Sequence, residues 1–495
     1  MITRFRPQFD AGLVHSKQNI PMSFKSLLKI RSKFAGAFRP QSIILATVLA
    51  GATIVQATNT PDASASWKWA ASWTTAAQGV LSRQPGSPSP DLEFAFPSYT
   101  VGAQEQTFRI IIKPDLWESE ARLRLTNLFG TQPVTFGSVT VAWQSSPGNI
   151  IPGSLRTVTF SGRSGVTIPA GQELYSDPFE LVAPAEGGNS PSWNDHGHSG
   201  PSATDPYLNG QKLAVNLYIK GTSGPITYHA EALQTSYLSA PNAGDRTRDT
   251  DDNNLPYTTT SWFFLGALEV KAPAQTKVIV ATGASVVDGT FSSLNGNDRW
   301  SDDLSRRVHE AYGRNVSVVN TGLSGDTAAL PPAGTGGLAQ YFQQRLNRDV
   351  INVAGATDVI LYDGPNDYGS YGILAQATTD AYQAIIIRVH AAGLKIYGAT
   401  LSSPKGDPSG GYGTPAGLAN RVVINTFIRT SHLFDGVEDF DAATYDPATG
   451  GIWPQFVPNS TTGGTTGDYL HPNRAGYQAE ANSINIAPFA PGSRR

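Results

Sequence analysis

Four short polar clusters in the second half of this 495-residue chain bring together residue types that can share one reaction. Gly283-Ala284-Ser285-Val286-Val287-Asp288-Gly289 reads as a strand running into a helix. A serine at so tight a turn exposes its hydroxyl beside the N–H groups of a helix start. Asn320-Thr321-Gly322-Leu323-Ser324-Gly325-Asp326 carries a glycine, Gly325, that would let a substrate oxygen reach the backbone N–H. Gly364-Pro365-Asn366-Asp367 offers a side-chain amide donor in Asn366. Asp468-Tyr469-Leu470-His471-Pro472 sets a carboxylate three residues before an imidazole, close enough in one turn to hold its second nitrogen. Taken singly, each is an ordinary turn or helix cap. Taken together, they amount to a nucleophile, two donors for a developing oxyanion and an oriented base.

The elements that must position them follow from hydrophobic periodicity. Short apolar strands are predicted at 277–282, 316–320, 358–363, 394–401 and 437–440. Helical patterns fall at 298–312, 338–347, 373–392 and 418–431, with a last helix from about 472. Strands alternating with helices predict an α/β domain, a parallel sheet with helices on both faces. Ligand sites in such sheets lie beyond the carboxyl ends of the strands, where the first three clusters stand. Residues 66–272 read differently. Strand-like runs at 107–113, 121–126, 134–143, 156–160 and 212–220 are separated by Gly/Pro/Ser turns, and no long helical period interrupts them. In the last run Leu213, Val215, Leu217 and Ile219 would line one face. An all-β sandwich or jelly-roll is predicted there, with a polar surface insertion at 183–211. The domain plan is thus a leader at 1–65, a β-rich domain at 66–272 and an α/β domain at 277–495.

Composition narrows the chemistry. The chain has no cysteine, which excludes disulfides, thiolate metal sites and a cysteine nucleophile. Its 50 glycines and 34 prolines predict many turns, and a net charge of −3 gives no reason to expect nucleic acid as a partner. That charge is uneven. Residues 1–60 hold eight basic side chains and one acid, Asp10. An apolar run at 43–55 follows, then small-residue sites at Val55-Gln56-Ala57 and Ala63-Ser64-Ala65. This is the order of a secretory signal peptide, so the expected location is secreted or periplasmic, with no stable membrane span after processing. The apolar run is well short of the roughly 20 residues a bilayer requires; a retained anchor is the alternative. Cleavage after Ala65 would leave 28 basic and 37 acidic residues.

With these residues in view, the chain resembles the SGNH, or GDSL-like, hydrolase family over about residues 277–488. Gly283-Ala284-Ser285 with Asp288-Gly289 resembles the family's first block, Ser324-Gly325-Asp326 its second, Gly364-Pro365-Asn366-Asp367 its third and Asp468-Tyr469-Leu470-His471 its fifth. The resemblance implies a flavodoxin-like sheet and a serine esterase that hydrolyses acyl or acetyl esters without metal or organic cofactor. Ser285 would be the nucleophile, and Gly325 and Asn366 oxyanion donors. His471 would be the base and Asp468 its orienter. The substrate would be a small or polysaccharide-linked ester. The first half, through stretches such as Ser66-Trp67-Lys68-Trp69 and Thr260-Ser261-Trp262-Phe263-Phe264-Leu265, resembles the β-rich leading domain of a secreted two-domain subgroup.

One departure matters. Ala284 stands where the family carries Asp, which puts the hydrogen bonding of the nucleophile turn in question. A catalytically impaired binding protein is therefore a rival reading, and acyl transfer by the same residues another. Asp195-His196-Gly197-His198 reads as surface loop, with a metal site as the alternative. His229, His309, His390 and His432 read as structural or surface residues. Trp67, Trp69, Trp73 and Trp143 read as core, with a glycan platform as the alternative. No Gly-X-Ser-X-Gly elbow and no phosphate-binding glycine signature follows a strand.

Overall fold

The computed structural model describes residues 66–79, 94–181, 210–332, 341–458 and 467–492. The leader, the 195–198 tract and most of the polar insertion lie outside the described residues.

The first half is built from antiparallel sheets. One runs in the order Trp67–Thr74, Leu265–Pro273, Glu120–Thr126, Phe179–Glu180, with Glu173–Tyr175 also on Glu120–Thr126. A larger one centres on Gln104–Ile112, Leu213–Thr222 and Val134–Ser146. The alternation in the middle strand does what its period demands. Leu213, Val215, Leu217 and Ile219 join Phe108 and Ile110 in the main core, while Ala214 turns to a small cluster with Ile111 and Tyr237. A third, short sheet pairs Thr227–His229 with Trp262–Phe263 and Gln78–Gly79. Of the four tryptophans, Trp73 and Trp143 are buried, packed on Trp262 and Trp117 respectively. Trp67 is exposed, and Trp69 is half-buried under the Arg122 guanidinium.

The second half is a five-stranded parallel sheet in the order Val316–Gly322, Lys277–Gly283, Asp358–Tyr362, Lys395–Ala399, Gly436–Glu438. Chain order therefore reads 2-1-3-4-5, the flavodoxin-like arrangement. The crossover from the first strand to the second runs one way across the sheet and the later ones run the other way, so connections of the usual right hand send helices to both faces. Helix Trp300–Tyr312 packs on Arg474–Ser483, and Ala375–Ala391 on Pro415–Thr430. Val278, Ile279, Val280 and Ala281 are all fully buried, as a strand covered on both sides requires. Among the described residues no helix is long and apolar enough to cross a membrane.

Three elements depart from the sequence-based expectation for local reasons. The run at 156–160 is paired as a strand only at Arg156–Thr157. Phe160 instead bridges back to Arg163 around a tight turn, whose Ser161 and Gly162 N–H groups bind the Asp177 carboxylate. The run at 437–440 ends as a strand at Glu438, because the Asp439 side chain caps the next helix at the Ala442 N–H. The helix expected to 347 is Phe342–Leu346 and then widens into a π turn, Asn347–Ile351.

The two halves share one apolar cluster that runs from Phe108 and Leu268 through Val280 and Trp300. Strand Trp67–Thr74 lies beside the edge strand of the parallel sheet. There the Ala71 N–H donates to the Ala354 carbonyl at 2.8 Å, and Ser317 Oγ donates to the Ala71 carbonyl at 2.7 Å. Asp115 of the β-rich half is buried between them. It accepts from His309 Nε2 at 3.0 Å, from the Val318 N–H at 2.6 Å and from the Ser305 hydroxyl. Although this is a second Ser/His/Asp grouping, Ser305 bonds the carboxylate and His309 Nδ1 bonds the Gly313 carbonyl at 2.8 Å. No histidine nitrogen is thus left to take a serine proton, and the cluster acts as a tie between the halves. Asp115→Ala would strand the Val318 N–H and the His309 ring in the interior, a loss of about 3–5 kcal/mol. Urea unfolding should show the midpoint falling by a corresponding amount; an unchanged midpoint would refute the tie.

Candidate active site

Strand Lys277–Gly283 ends in a turn that only glycine can make. Gly283 has φ +143°, and a Cβ there would lie 2.0 Å from the Tyr362 carbonyl oxygen. The chain then enters a single helical turn, Ser285–Asp288, closed by Gly289 at φ +102°. Gly322 on the neighbouring strand allows that turn to pack closely, since a Cβ would meet the Asp288 nitrogen at 2.3 Å. Ser285 is consequently held at the sheet's carboxyl edge with its side chain half-exposed.

The structure brings His471 to it from the far end of the chain. His471 Nε2 lies 2.7 Å from Ser285 Oγ, and His471 Nδ1 lies 2.6 Å from Asp468 Oδ2. The other Asp468 oxygen accepts the N–H groups of Leu470 and His471, each at 2.9 Å. The loop is thereby folded around the carboxylate, with Tyr469 pushed to φ +59°. Burial works against a charged imidazole, but the Asp468 carboxylate overrides it, assisted by Asp407. The net result is a His471 pKa raised above its ordinary 6.5. Burial likewise opposes the Asp468 anion, and His471 together with the two N–H groups outweighs it to keep that carboxyl below its usual range.

The two expected donors follow the two strands on either side of Lys277–Gly283, Gly325 after Val316–Gly322 and Asn366 after Asp358–Tyr362. Gly325 sits at φ +84° in the turn after Val316–Gly322, and its N–H meets no acceptor among the described residues. The Ser285 N–H, at the start of its helical turn, likewise meets none among them. Asn366 is the second residue of the helix Pro365–Gly369. Its Nδ2 donates to the Asp326 carbonyl at 2.7 Å and its Oδ1 accepts from Tyr412 Oη at 2.6 Å. A carbonyl can only accept, so the orientation of the amide is settled and one Nδ2 proton remains for a ligand.

Residues that the sequence reading does not assign hold the site together. Arg345 is fully buried and donates to the carbonyls of Gly283 at 2.9 Å and Thr321 at 2.8 Å, and to Asp326 Oδ2 at 2.6 Å. Nothing in the sequence around position 345 shows what its guanidinium reaches. His229 and Glu231, from the β-rich half, touch Asp288, Thr290 and Ser324. His229 is buried against Asp288, a structural histidine as expected but one set beside the site. A more than 50-residue separation leaves no local signal for that pairing. His309 is buried on Asp115, and His390 faces Asp435 at the surface. The 402–414 loop borders the site through Tyr412 and through Gly406, which lies under the Tyr469 ring. Among the described residues no group of three or more His, Asp or Glu side chains is arranged to hold a metal.

Ala284 is buried in an unstrained extended conformation, φ −90° and ψ −155°. Its carbonyl accepts from Val287 at 2.9 Å and Asp288 at 3.0 Å. Gly283, Arg345 and Asp288 thus hold the nucleophile turn without a carboxylate at 284.

Residues 281–479 match the model of the GDSL-like Lipase/Acylhydrolase family. This segment is a GDSL-like hydrolase domain. A comparison with curated proteins returned no match. Among solved structures, similar ones include a carbohydrate acetylesterase family member from Sinorhizobium meliloti, at 15% identity over 43% of this chain and 97% of that one, TM-score 0.32. A lipase/acylhydrolase from Enterococcus faecalis is 18% identical over 44% of this chain and all of its own, TM-score 0.32. A GDSL-like lipase from Bacteroides thetaiotaomicron is 17% identical over 42% and 86%, TM-score 0.31. Each of the three covers less than half of this chain.

The His471 environment has a measurable sign. Asp468→Asn removes the charge that favours the imidazolium, so the His471 titration followed by NMR should move to lower pH. A titration that stayed in place would mean that Asp468 does not govern the ring. Because the folded pKa is raised, the stability contributed by His471 is fully present below its unfolded value and is lost as pH rises through the folded one.

Proposed function

We propose that this chain is a carboxylic ester hydrolase in which Ser285 is the nucleophile. The observation that carries the reading is the unbroken line from Asp468 through His471 to Ser285 Oγ, with contacts of 2.6 and 2.7 Å. His471 Nε2 takes the hydroxyl proton as Oγ attacks the ester carbonyl. Asp468 keeps the ring in the tautomer that presents a free Nε2 and stabilises the imidazolium that forms. The developing oxyanion is received by the N–H groups of Ser285 and Gly325 and by the spare Asn366 Nδ2 proton. Each such donor is worth about 10²–10³-fold in turnover. His471 then protonates the leaving alcohol, and water releases the acyl group by the reverse sequence. The Phe291 ring, with its centroid 5.9 Å from that of His471, and the exposed Tyr469 offer apolar surface beside the reacting atoms. A small acyl or acetyl ester is the substrate class we assign, free or carried on a polysaccharide. Secretion belongs to the same proposal and rests on the basic, apolar, small-residue order of residues 1–65.

Purified protein should hydrolyse a short-chain aryl ester, and Ser285→Ala should lower kcat by at least about 10³-fold. Retained activity in that variant would remove Ser285 from the scheme. Since His471 must be neutral to act, kcat/KM should rise with pH through an apparent pKa above the ordinary histidine value of 6.5. Asp468→Asn should move that limb to lower pH while slowing turnover by about 10³–10⁴-fold. The reading of Ala284 as a mark of decay is tested by Ala284→Asp. A carboxylate added to this buried position should cost about 1–3 kcal/mol of stability and bring no gain in kcat. A large gain would show that the natural site is impaired.

A further inference from the structure

The β-rich half reaches the hydrolase site through the segment that follows strand Thr227–His229. His229 Nδ1 lies 2.9 Å from the Ala76 carbonyl and Nε2 lies 2.9 Å from Asp288 Oδ1. Both partners accept, so both ring nitrogens carry protons and the ring is an imidazolium facing the Asp288 carboxylate. Asp288 Oδ2 accepts the Ser324 N–H at 2.9 Å and lies 2.9 Å from Ser324 Oγ. The same Ser324 hydroxyl is in hydrogen-bond contact with Glu231 Oε2, which also meets Thr290 Oγ1 at 3.0 Å. Arg299 fastens the segment from the other side, bonding the carbonyls of Asp288 and Ala232.

Counting protons decides the charge state of this array. One serine hydroxyl carries one proton and cannot serve two ionised carboxylates. Apart from Ser324 Oγ, Asp288 already has two donors, the imidazolium and the Ser324 N–H, whereas among the described residues Glu231 has only Thr290. The extra proton therefore resides on Glu231. Every bond then has a direction: Thr290 donates to Glu231, Glu231 to Ser324, Ser324 to Asp288. Burial and the nearby Asp288 charge both push the Glu231 carboxyl upward, in keeping with this arrangement.

Ser324 immediately precedes Gly325, whose N–H is a donor in the reading above. We propose that Glu231, contributed by the β-rich half, is a positioning residue for the oxyanion-binding turn: a neutral carboxyl that donates to Ser324 Oγ and holds the Gly325 N–H in line with Ser285. The inference rests on Ser285 being the nucleophile. It makes the β-rich half part of the catalytic assembly in addition to any binding role.

The test compares Glu231→Ala, Glu231→Gln, Ser324→Ala and Glu231→Ala/Ser324→Ala in the full chain, with Ser285→Ala as reference. Glu231→Ala should lower kcat about 10–100-fold, a fraction of the loss on deleting an oxyanion donor, with KM within about threefold. The rate at which an aryl phosphonate modifies Ser285 should fall by the same factor, because that reaction also builds charge on an oxygen in the hole. Glu231→Gln, whose amide can donate to Ser324, should keep kcat within about threefold of wild type. The double variant should lose no more than the worse single one, as members of one chain of bonds do. Wild-type turnover in Glu231→Ala, an equal loss in Glu231→Gln, or a change confined to KM would each overturn the proposal. Should Glu231→Ala fail to fold, as judged by its melting temperature, Ser324→Ala decides: undiminished kcat there overturns it. If wild type shows no Ser285-dependent hydrolysis, the functional reading falls and this inference with it. If Ser285→Ala is inactive and Glu231→Ala is not impaired, only this inference falls.

Discussion

A single buried cation governs the geometry of the site. Arg345 is removed from solvent entirely, and its guanidinium spreads over two strand ends and two carboxylates. It bonds the last carbonyl of the strand that leads to Ser285 and a carbonyl in the strand that leads to Gly325. Its third partner, Asp326, uses its own backbone carbonyl to hold Asn366. The segments that carry Ser285 and Gly325 therefore meet in one planar group, and the segment that carries Asn366 is tied to it through Asp326. Only arginine could fill this position, because lysine lacks the fixed fork of donors that reaches separate acceptors at once. Leaving such a charge unpaired in the interior would cost several kcal/mol, so Asp326 and Asp349 are as necessary as the cation itself.

A second layer of support comes from the β-rich half. His229 with Asp288 and His309 with Asp115 are two buried histidine–carboxylate contacts, each spanning the two halves. Such pairs add little to stability once their desolvation is counted, but they penalise any other registry, since a slip would leave a charge alone in the interior. Their placement is consistent with the shared apolar cluster. The cluster supplies the non-directional attraction between the halves, and the polar ties select one arrangement within it. Asp288 gains most from this. It belongs to the same helical turn as Ser285 and is held from across the interface, so the orientation of that turn depends on residues more than fifty positions earlier.

The nucleophile turn also shows how a missing family residue is accommodated. With Ala284, the turn relies on backbone bonds, on Gly283 in a conformation closed to other residues, and on the Arg345 contact beneath it. None of these involves the side chain at 284.

What the sequence alone determined were the features whose physics is local. The period-2 run from Leu213 to Ile219, the buried Val278–Ala281 strand and the Asp468-x-x-His471 turn each depend on neighbours a few residues away, so spacing was enough to read them. Where a competing local bond intervened, as at Asp439 or around Ser161, the apolar pattern overran the true strand. Ser285, Gly325, Asn366, Asp468 and His471 were legible as candidates because each stands in a recognisable block at the end of an element. The convergence of Ser285, His471 and Asp468 within hydrogen-bond reach, the anchoring of the Ser285 and Gly325 segments on Arg345 and the arrival of His229 and Glu231 from the other half were decided only by the tertiary structure. Those contacts join residues tens to hundreds of positions apart, and a buried charge selects its partners by where the whole fold has excluded water.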